Sequence, residues 1–492
     1  MLVFVSCLLL LAYAHGLQVN TTEGIVEGSK AVDGDYYAFY GIKYAGPVDG
    51  ANRFQAPVPP QKRSGVFAAD NTNIICAQPT SRGLVGVENC LTLNIFTKNV
   101  TTPKPVIVFL NSEEYTNTHT QTYSYKSFVD ENIVFVTLNY RLSIFGFLCL
   151  GVPEAPGNAG LKDVIRGLEW VKDNVANFGG NPNNVVLIGH GSGAAMVDLL
   201  TLSPRAQNLA HKAIALSGSA LAPWAVAYDP VGYARALAAK VGYDHRSNSE
   251  LAKHLKETDV NILAAELNEF HFKNNTPLFA PCVENHKLKD SVLTDAPINI
   301  LRSGNYSHMP YIAGYTTREG TLRAQQAAVE QWLESMQGNF SDFLQVDLNF
   351  GKNKTAEALT IRQFYFSDRS INMDTIEDFL DYEGDTLVVV STIRGTKERG
   401  LTSNSEVRLL EFGYVGTMNS DWAYSQIPLK GVKHGGILNY LFNYDLRPKD
   451  ELVMTSIVKR FAGFAYTGNP VAVIGARSSA TWPALTKDTF NY

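Results

Sequence analysis

The amino-acid sequence predicts an α/β fold with a mostly parallel central sheet and helices on both faces. Short apolar runs alternate with stretches of helical periodicity, and this alternation is typical of parallel β-α-β units. The chain has 492 residues, of which 45% are hydrophobic and 18% are charged, as in an ordinary globular protein that buries a large core. No repeat or low-complexity linker divides the sequence, so we expect one large domain.

The predicted strands are short and apolar, as buried strands are. In chain order they are PVIVFLN (105–111), NIVFVTLNY (132–140), NVVLIG (184–189), KAIALSGS (212–219), MPYIAGY (309–315) and VRLLEFGYV (407–415). The stretch AGLKDVIRGLEWVKDNV (159–175) has the apolar spacing of a helix. We expect helical insertions around residues 225–270 and 320–400.

Residues 1–14 predict a signal peptide. An apolar stretch from Leu2 to Leu11 precedes Ala12-Tyr13-Ala14, a small-x-small pattern suited to cleavage after Ala14. The alternative is a short membrane anchor, but the stretch is well below the ~20 apolar residues that a spanning helix needs. We therefore expect residues 15–492 to form a single secreted, extracellular domain without a membrane span.

Charge and glycosylation motifs describe the expected surface. The net charge of -5 is mild, and no run of Lys or Arg suggests binding to nucleic acid. Six N-x-S/T triplets are candidate glycosylation sites, and we expect some of them to carry glycan. Their acceptors are Asn20, Asn99, Asn274, Asn305, Asn339 and Asn353.

The cysteines predict one disulfide. Cleavage removes Cys7, and the remaining cysteines match no zinc or redox spacing. Cys76 and Cys90 bracket a short loop whose glycines let the chain reverse, so we expect them to be bridged in an oxidising compartment. Cys149 and Cys282 are interpreted as inert thiols of the core.

The stretch LIGHGSGAAM (187–196) resembles a strand-turn-helix that presents a serine nucleophile. In the motif G-x-S-x-G the outer glycines are four residues apart, because the strained turn leaves no room for Cβ atoms. Here these are Gly189 and Gly193, but the residue midway is Gly191, and Ser192 comes one position late. The stretch also fits the permissive dinucleotide motif G-x-G-x-x-A, but the next strand contains no acidic residue to hold a ribose, so no cofactor is expected.

Eight blocks of the sequence carry a family resemblance. They are FYGIKYAGPVDGANRFQAP (39–57), ENCLTLNIF (88–96), LNYRLSIFGFL (138–148), GNAGLKDV (157–164), NFGGNPNNVVLIG (177–189), LSGSALAPWA (216–225), GYTTREG (314–320) and KHGGILNYLF (433–442). In order and spacing they resemble the type-B carboxylesterase and cholinesterase family of α/β-hydrolases, from about residue 18 to the C-terminus. The resemblance implies an α/β-hydrolase fold and a triad that runs Ser, Glu or Asp, then His along the chain.

The triad positions that the resemblance implies are Gly191, Glu319 and His434. Glycine has no nucleophilic side chain, so the acyl-enzyme route is closed. Ser192 is the alternative nucleophile, although a displacement of about 1 Å can already cost ~100-fold in rate. We expect Glu319 and His434 to form a buried structural pair. A metal site is not expected, because no second histidine or carboxylate lies at ligand spacing beside either residue.

The family's oxyanion-binding glycines are also replaced. The residues that match an H-G-G-G-like stretch are Asn111, Ser112, Glu113 and Glu114. Glycines permit close backbone approach to a ligand, whereas carboxylates would repel a developing oxyanion. In the alternative interpretation, both glutamates point to solvent and the backbone N–H groups still serve.

These observations predict a secreted, glycosylated, catalytically inactive protein that binds a protein partner or an apolar small ligand. It would be similar to non-catalytic family members such as neuroligin, neurotactin, gliotactin and glutactin. The alternative is an active carboxylic ester hydrolase that uses Ser192 or a non-standard mechanism. A third interpretation is ligand carriage in an apolar gorge lined by Trp224, which is equally compatible with a plain core position.

Overall fold

The fold is built on a mixed β-sheet whose central part is parallel. A computed structural model describes residues 16–81, 83–118, 123–244, 247–267, 276–348, 353–419, 424, 426–428, 430–443, 446–470, 482–486 and 489. The predicted signal peptide and Asn274 lie outside the described residues.

The strands account for the predicted sheet. They are β1 (Leu17–Thr21), β2 (Gly24–Lys30), β3 (Tyr37–Lys43), β4 (Val66–Ala68), β5 (Gln78–Thr80), β6 (Gly83–Val85), β7 (Thr92–Thr97), β8 (Lys104–Ser112), β9 (Val134–Leu138), β10 (Gly180–Gly191), β11 (Lys212–Leu216), β12 (Tyr311–Thr316) and β13 (Val407–Phe412). The main sheet runs β1-β2-β3-β7-β9-β8-β10-β11-β12-β13, with β4 beside β2, and β5 and β6 form a separate pair. Each predicted strand overlaps an observed one, from β8 onward.

The direction of pairing confirms the predicted fold class. Every neighbour pair from β9 to β13 is parallel, whereas β1, β2, β3, β7 and β9 pair antiparallel along the path. Parallel neighbours need a crossover between them, which the helices supply. The result is an α/β sheet with an antiparallel N-terminal edge.

Helices fill the crossovers and the two predicted insertions. They are α1 (Lys126–Asp130), α2 (Ser143–Phe147), α3 (Ala159–Asn174), α4 (Ser192–Leu202), α5 (Pro230–Lys240), α6 (Asn248–Glu257), α7 (Val260–Leu267), α8 (Pro297–Ser303), α9 (Ala324–Ala328), α10 (Trp332–Gly338), α11 (Lys354–Phe366), α12 (Ile376–Gly384), α13 (Val390–Thr402), α14 (Leu438–Leu441) and α15 (Pro448–Thr467). The helix predicted at 159–175 is α3. The insertions contain α5 to α7 and α9 to α13.

The two faces of the sheet are both buried, and β8 shows why. All of its residues are buried, and alternate side chains point to opposite faces. Val106 and Val108 belong to one apolar cluster together with Trp170 of α3. Ile107 belongs to a second cluster with Phe461 of α15. A continuous apolar strand is therefore explained by helices on both sides of it.

The junction of β10 and α4 confirms the predicted strand-turn-helix. Gly191 ends the strand with φ 58° and ψ -127°, a conformation that favours glycine. A Cβ on Gly189 would lie 2.3 Å from the Gly193 carbonyl oxygen, and one on Gly193 would lie 2.2 Å from that of Leu110. Neither distance is possible for a real Cβ, so close packing requires both outer glycines of the motif.

Two disulfides are present, and one of them corrects the sequence analysis. Cys76 and Cys90 are bridged as predicted, with their Cα atoms 4.9 Å apart. Cys149 and Cys282 are also bridged, so the interpretation of both as inert thiols was wrong. Asn158 explains the pairing, because its side chain hydrogen-bonds the backbone N–H and carbonyl of Cys282, each at 2.8 Å, and fixes that segment in the core.

Most of the candidate glycosylation acceptors in the described ranges are exposed. Asn20, Asn305, Asn339 and Asn353 are exposed, and Asn99 is half-buried. In the described part of the chain, no helix combines the length and the apolar character needed to cross a bilayer.

We expect removal of the Cys149–Cys282 disulfide to destabilise the protein more than removal of Cys76–Cys90. The sequence separations are 133 and 14 residues. In the chain-entropy model a loop of about 15 residues contributes about 3 kcal/mol and one of about 100 residues about 4.7 kcal/mol. Thermal unfolding of Cys149→Ala/Cys282→Ala and Cys76→Ala/Cys90→Ala would show the order. Peptide mapping that found either pair as free thiols would contradict the assignment.

Candidate functional site

The candidate site lies where the parallel strands end. Glu113 follows β8, Gly191 ends β10, and Glu319 follows β12. Because β8 and β10 are in parallel register, Ser112 lies opposite Gly191. His434 lies in the segment after β13, where Lys433 bridges to Arg318 beside Glu319. Carboxyl ends of parallel strands meet at one sheet edge, so residues far apart in sequence converge there.

Glu319 and His434 form a hydrogen-bonded pair. The Nδ1 atom of His434 lies 2.5 Å from Oε2 of Glu319. The other oxygen of Glu319 accepts hydrogen bonds from the Thr316 backbone N–H at 2.6 Å and from the Ser217 hydroxyl at 2.7 Å. The carboxylate is buried and is held from three sides, so the orientation of the imidazole is fixed.

The carboxylate of Glu113 turns into the site. Its Oε2 lies 3.3 Å from Nε2 of His434, and its Oε1 lies 3.0 Å from Nδ1 of His190. A Cβ built on Gly191 would lie 2.7 and 2.9 Å from the two oxygens. Glu113 therefore occupies the space into which a side chain at the nucleophile position would extend.

Glu114 points differently. Its side chain is 46% exposed and forms an ion pair with Arg323 at the end of the turn that holds Glu319. Of the two glutamates, only Glu114 fits the alternative in which both point to solvent. The side chain of Glu113 is 25% exposed and faces the two histidines.

The charges in the site make His434 an imidazolium. Burial opposes its charge, but the negative charges of Glu113 and Glu319 and their hydrogen bonds outweigh burial and raise the pKa of His434 to about 10. Burial likewise opposes ionisation of both carboxyls, but the charge on His434 outweighs it and lowers the pKa of Glu113 and of Glu319. A protonated imidazole does not accept a proton from a nucleophile, so these carboxylates oppose the general-base role that the triad position implies.

Ser192 is buried in a separate hydrogen-bond network. Its Oγ accepts the Tyr115 backbone N–H at 2.9 Å and donates to the Ser112 carbonyl at 2.9 Å. It also lies 2.7 Å from Oγ of Ser112, which accepts the hydroxyl of Tyr140. The Ser192 hydroxyl therefore donates its hydrogen bond to the end of β8. Its oxygen accepts a hydrogen bond from the loop that follows β8. The geometry is that of a structural serine at the start of α4.

The loop that replaces the oxyanion glycines keeps a glycine-like backbone. Glu114 and Tyr115 have φ values of 51° and 59°. Glycine adopts such values without the steric cost that a Cβ adds. The Glu113 N–H donates to the Asn117 carbonyl at 2.9 Å, and the Tyr115 N–H donates to Ser192, so these two groups are already used inside the protein. An oxyanion hole needs N–H groups that point at the reacting oxygen.

His190 is the site residue that sequence reasoning missed. It occupies the position between Gly189 and Gly191, and it is fully buried. Its sequence position could have indicated a place in the site. It lies one residue before the end of β10, the strand that pairs with β8. The prediction of no metal rested on sequence spacing, because no second histidine or carboxylate lies at ligand spacing beside Glu319 or His434. The strand ends bring both His190 and Glu113 next to His434.

A cavity of about 340 Å³ opens beside the cluster. Most of its lining side chains are polar or charged. They are Asn111, Glu113, Tyr123, His190, Thr321, Leu322, Lys433, His434, Gly435, Leu438 and Asn439. Trp224 lies instead in the core, where its indole N–H donates to the Leu387 carbonyl at 2.9 Å.

We expect His434→Ala to lower the free energy of unfolding by about 1 to 3 kcal/mol, because the substitution leaves buried carboxylates without their charged partner. The Thr316 and Ser217 hydrogen bonds to Glu319 limit the loss. Chemical denaturation measures it, with the exposed His286→Ala as the matched control. An unchanged midpoint for His434→Ala would show that the pair does not stabilise the fold.

Comparisons with known proteins agree with this architecture. The model of the carboxylesterase family matches residues 15–492. Venom carboxylesterase-6 of Apis mellifera is 28% identical over 95% of this chain and 88% of its own length. Esterase P of Drosophila melanogaster is 31% identical over 74% of this chain and 71% of its own length. The crystal structure of juvenile hormone esterase from Manduca sexta superposes with a TM-score of 0.86 at 23% identity, covering 96% of this chain and 93% of that one. The chain belongs to the carboxylesterase family.

Proposed function

We propose that this chain is a secreted, glycosylated member of the carboxylesterase family that does not hydrolyse esters and acts by binding. The observation that carries the proposal is the position of the Glu113 carboxylate, which fills the space next to Gly191 and hydrogen-bonds the histidine of the triad. A nucleophile, a base and an oxyanion hole are the three requirements of acyl transfer by this fold. Each of them is altered here.

The alterations of the nucleophile, the base and the oxyanion hole all disfavour acyl transfer. Gly191 offers no nucleophile, and the imidazole of His434 is charged and holds carboxylates on both ring nitrogens. The oxyanion loop carries Glu113 in place of a glycine, so a negative charge stands where the transition state would need positive potential. An ester carbonyl that entered the site would therefore meet no nucleophile at residue 191 and would lie beside a carboxylate.

Secretion is supported by the N-terminal apolar stretch and by the two disulfides, which persist in oxidising compartments. The sequence leaves a protein partner and an apolar small ligand open as the bound species. The cavity beside the cluster has both polar and apolar lining surface, so a small ligand that combines polar and apolar groups fits it better than a purely apolar one.

An active ester hydrolase is the second candidate, because the relatives carry esterase names. Hydrolysis would require Ser192 to leave its hydrogen bonds with Ser112 and Tyr115 and to reach an uncharged His434. Attack by an oxygen so displaced from the tip of the turn is disfavoured, since small errors in position already cost large factors in rate.

Covalent labelling separates the two candidates. We expect a fluorophosphonate probe to add no mass to the secreted protein, because no activated serine lies at the turn, and we expect no turnover of nitrophenyl esters above the uncatalysed rate. An active serine esterase labelled in parallel confirms that the probe reacts. An adduct mapped to Ser192, and abolished in Ser192→Ala, would establish the hydrolase instead.

Gly191→Ser tests how the alterations depend on each other. In subtilisin, loss of the nucleophile alone costs on the order of 10⁶ in turnover, so the substitution removes the largest defect. However, the new Cβ would lie 2.7 Å from Oε2 of Glu113, so that side chain must move before the serine can face His434. We expect slow labelling at the introduced hydroxyl and little ester turnover, because each missing oxyanion donor costs roughly 10² to 10³.

The triple exchange Ser112→Gly, Glu113→Gly and Glu114→Gly, added to Gly191→Ser, is the matched comparison. It removes the carboxylate from the nucleophile space and restores small residues in the oxyanion loop, so we expect labelling to become faster than in Gly191→Ser alone. If Gly191→Ser by itself turned over nitrophenyl esters as fast as an ordinary carboxylesterase, the interpretation of residues 111–114 would be wrong.

A further inference from the structure

Three side chains of the site form a compact set of metal-binding groups. One nitrogen of His190, one nitrogen of His434 and one carboxylate oxygen of Glu113 all lie within 4.8 Å of one another. Within the described ranges this is the one group of three or more His, Cys, Asp or Glu side chains that is so placed. The three residues come from the ends of two strands and from the segment after a third.

The donor set has the chemistry of a zinc site. Two imidazoles and one carboxylate bind Zn²⁺ in sites that keep one coordination position open, with Zn–N distances of about 2.0–2.1 Å and Zn–O distances of about 2.0–2.2 Å. We propose that Glu113, His190 and His434 form a binding site for a divalent transition-metal ion, Zn²⁺ in particular. The proposal is independent of the absence of ester hydrolysis, because metal binding is measured without any ester.

The spacing of the donors needs little change. Ligand atoms of a tetrahedral zinc ion are about 3.3 Å apart at these bond lengths. Oε2 of Glu113 already lies 3.3 Å from Nε2 of His434, and Oε1 lies 3.0 Å from Nδ1 of His190. The two imidazole rings lie with their centroids 4.7 Å apart, and one nitrogen of each ring lies within 4.8 Å of the other.

Glu319 supplies the outer support that metal-binding histidines normally have. A ligating histidine commonly donates its second ring N–H to a carboxylate, which fixes the ring and the nitrogen that binds. Glu319 holds Nδ1 of His434 at 2.5 Å, so Nε2 is the nitrogen that faces Glu113. Ser217 and Thr316 hold Glu319 in turn, so this histidine is oriented before any metal arrives.

His190 contributes a buried imidazole whose Nδ1 faces Glu113. The ring is fully buried, and its Nε2 has no hydrogen-bond partner in the part of the chain that the structure describes. Buried polar atoms are nearly always satisfied, so an unsatisfied imidazole nitrogen calls for an explanation such as an ion or a water molecule. Because Nδ1 is the nitrogen that faces Glu113, a metal ion held there leaves Nε2 to a water molecule.

The electrostatic setting also favours a cation. Glu113 and Glu319 flank His434 on opposite ring nitrogens, so two carboxylates face this ring. All three ligands belong to the site, and each of them lines the cavity of about 340 Å³. The open coordination position therefore faces space that admits water or a small anionic ligand, such as a carboxylate.

Zinc titration of untagged protein tests the site. After removal of metals with a chelator and dialysis, isothermal titration calorimetry with ZnCl₂ at pH 8 should show one site, because protons compete with metal for histidine nitrogens and are scarcer at that pH than at neutral pH. Elemental analysis after gel filtration should give one zinc per chain. Co²⁺ should give the visible absorption bands of a tetrahedral complex.

Matched variants locate the ion. Glu113→Gln and His190→Gln should each weaken Zn²⁺ binding by more than tenfold, and Glu319→Gln should weaken it by roughly 10- to 100-fold, as outer-shell partners do. Glu114→Gln removes the neighbouring carboxylate, and His286→Gln removes an exposed histidine, so both controls should bind as the unmodified protein does. Circular dichroism checks that every variant is folded.

Each result of these measurements either supports or overturns the proposed zinc site. One zinc per chain that is lost in Glu113→Gln and His190→Gln and retained in both controls supports the site. Absence of binding by the unmodified protein overturns it. So does binding that survives in Glu113→Gln and His190→Gln, because the ion would then reside on other histidines of the chain. Glu113→Gln keeps the proposal testable if His190→Gln does not fold, since Glu113 is partly exposed.

Discussion

The rest of the site depends on the carboxylate of Glu113, which fills the space beside Gly191. The carboxylate connects the end of β8 to His190 on β10 and to His434 after β13. Buried charges are costly unless they are paired, and here one imidazolium is shared by two carboxylates. The pairing explains why His434 is held so firmly although the residue at the tip of the turn is glycine. It also leaves an excess of negative charge, which suits a cation.

The central sheet could be predicted from the sequence because burial on both faces produces a continuous apolar run. β8 and β9 are buried along their whole length, and α3 buries a broad apolar side. The outermost strands β1 and β4 were not predicted, because most of their residues are exposed or half-buried. β4 has no buried residue, and β1 has one, so neither shows a clear alternation.

The site was predictable only in part. Motif spacing indicated Gly191, whereas the family resemblance implied Glu319 and His434, and all three lie at or after strand ends. The direction of the Glu113 side chain depends on the left-handed backbone at Glu114 and Tyr115, which no local pattern in "NSEEY" indicates. The Cys149–Cys282 disulfide joins residues 133 positions apart, and only the folded chain, with Asn158 between them, brings them together. Contacts of that range cannot be read from a single sequence.

The nucleophile turn persists without its nucleophile because packing, not chemistry, requires its shape. A Cβ on Gly193 would strike the Leu110 carbonyl of β8, and one on Gly218 would lie 2.2 Å from the Gly191 carbonyl, so the turn is clamped between neighbouring strands. Gly191 accepts the resulting φ of 58° at less cost than serine does. With no Cβ there, the carboxylate of Glu113 can enter. The two alterations are therefore not independent, since a serine at residue 191 and an inward Glu113 would exclude each other. Loss of the serine makes room for the carboxylate, and the carboxylate in turn holds the histidine in its charged form.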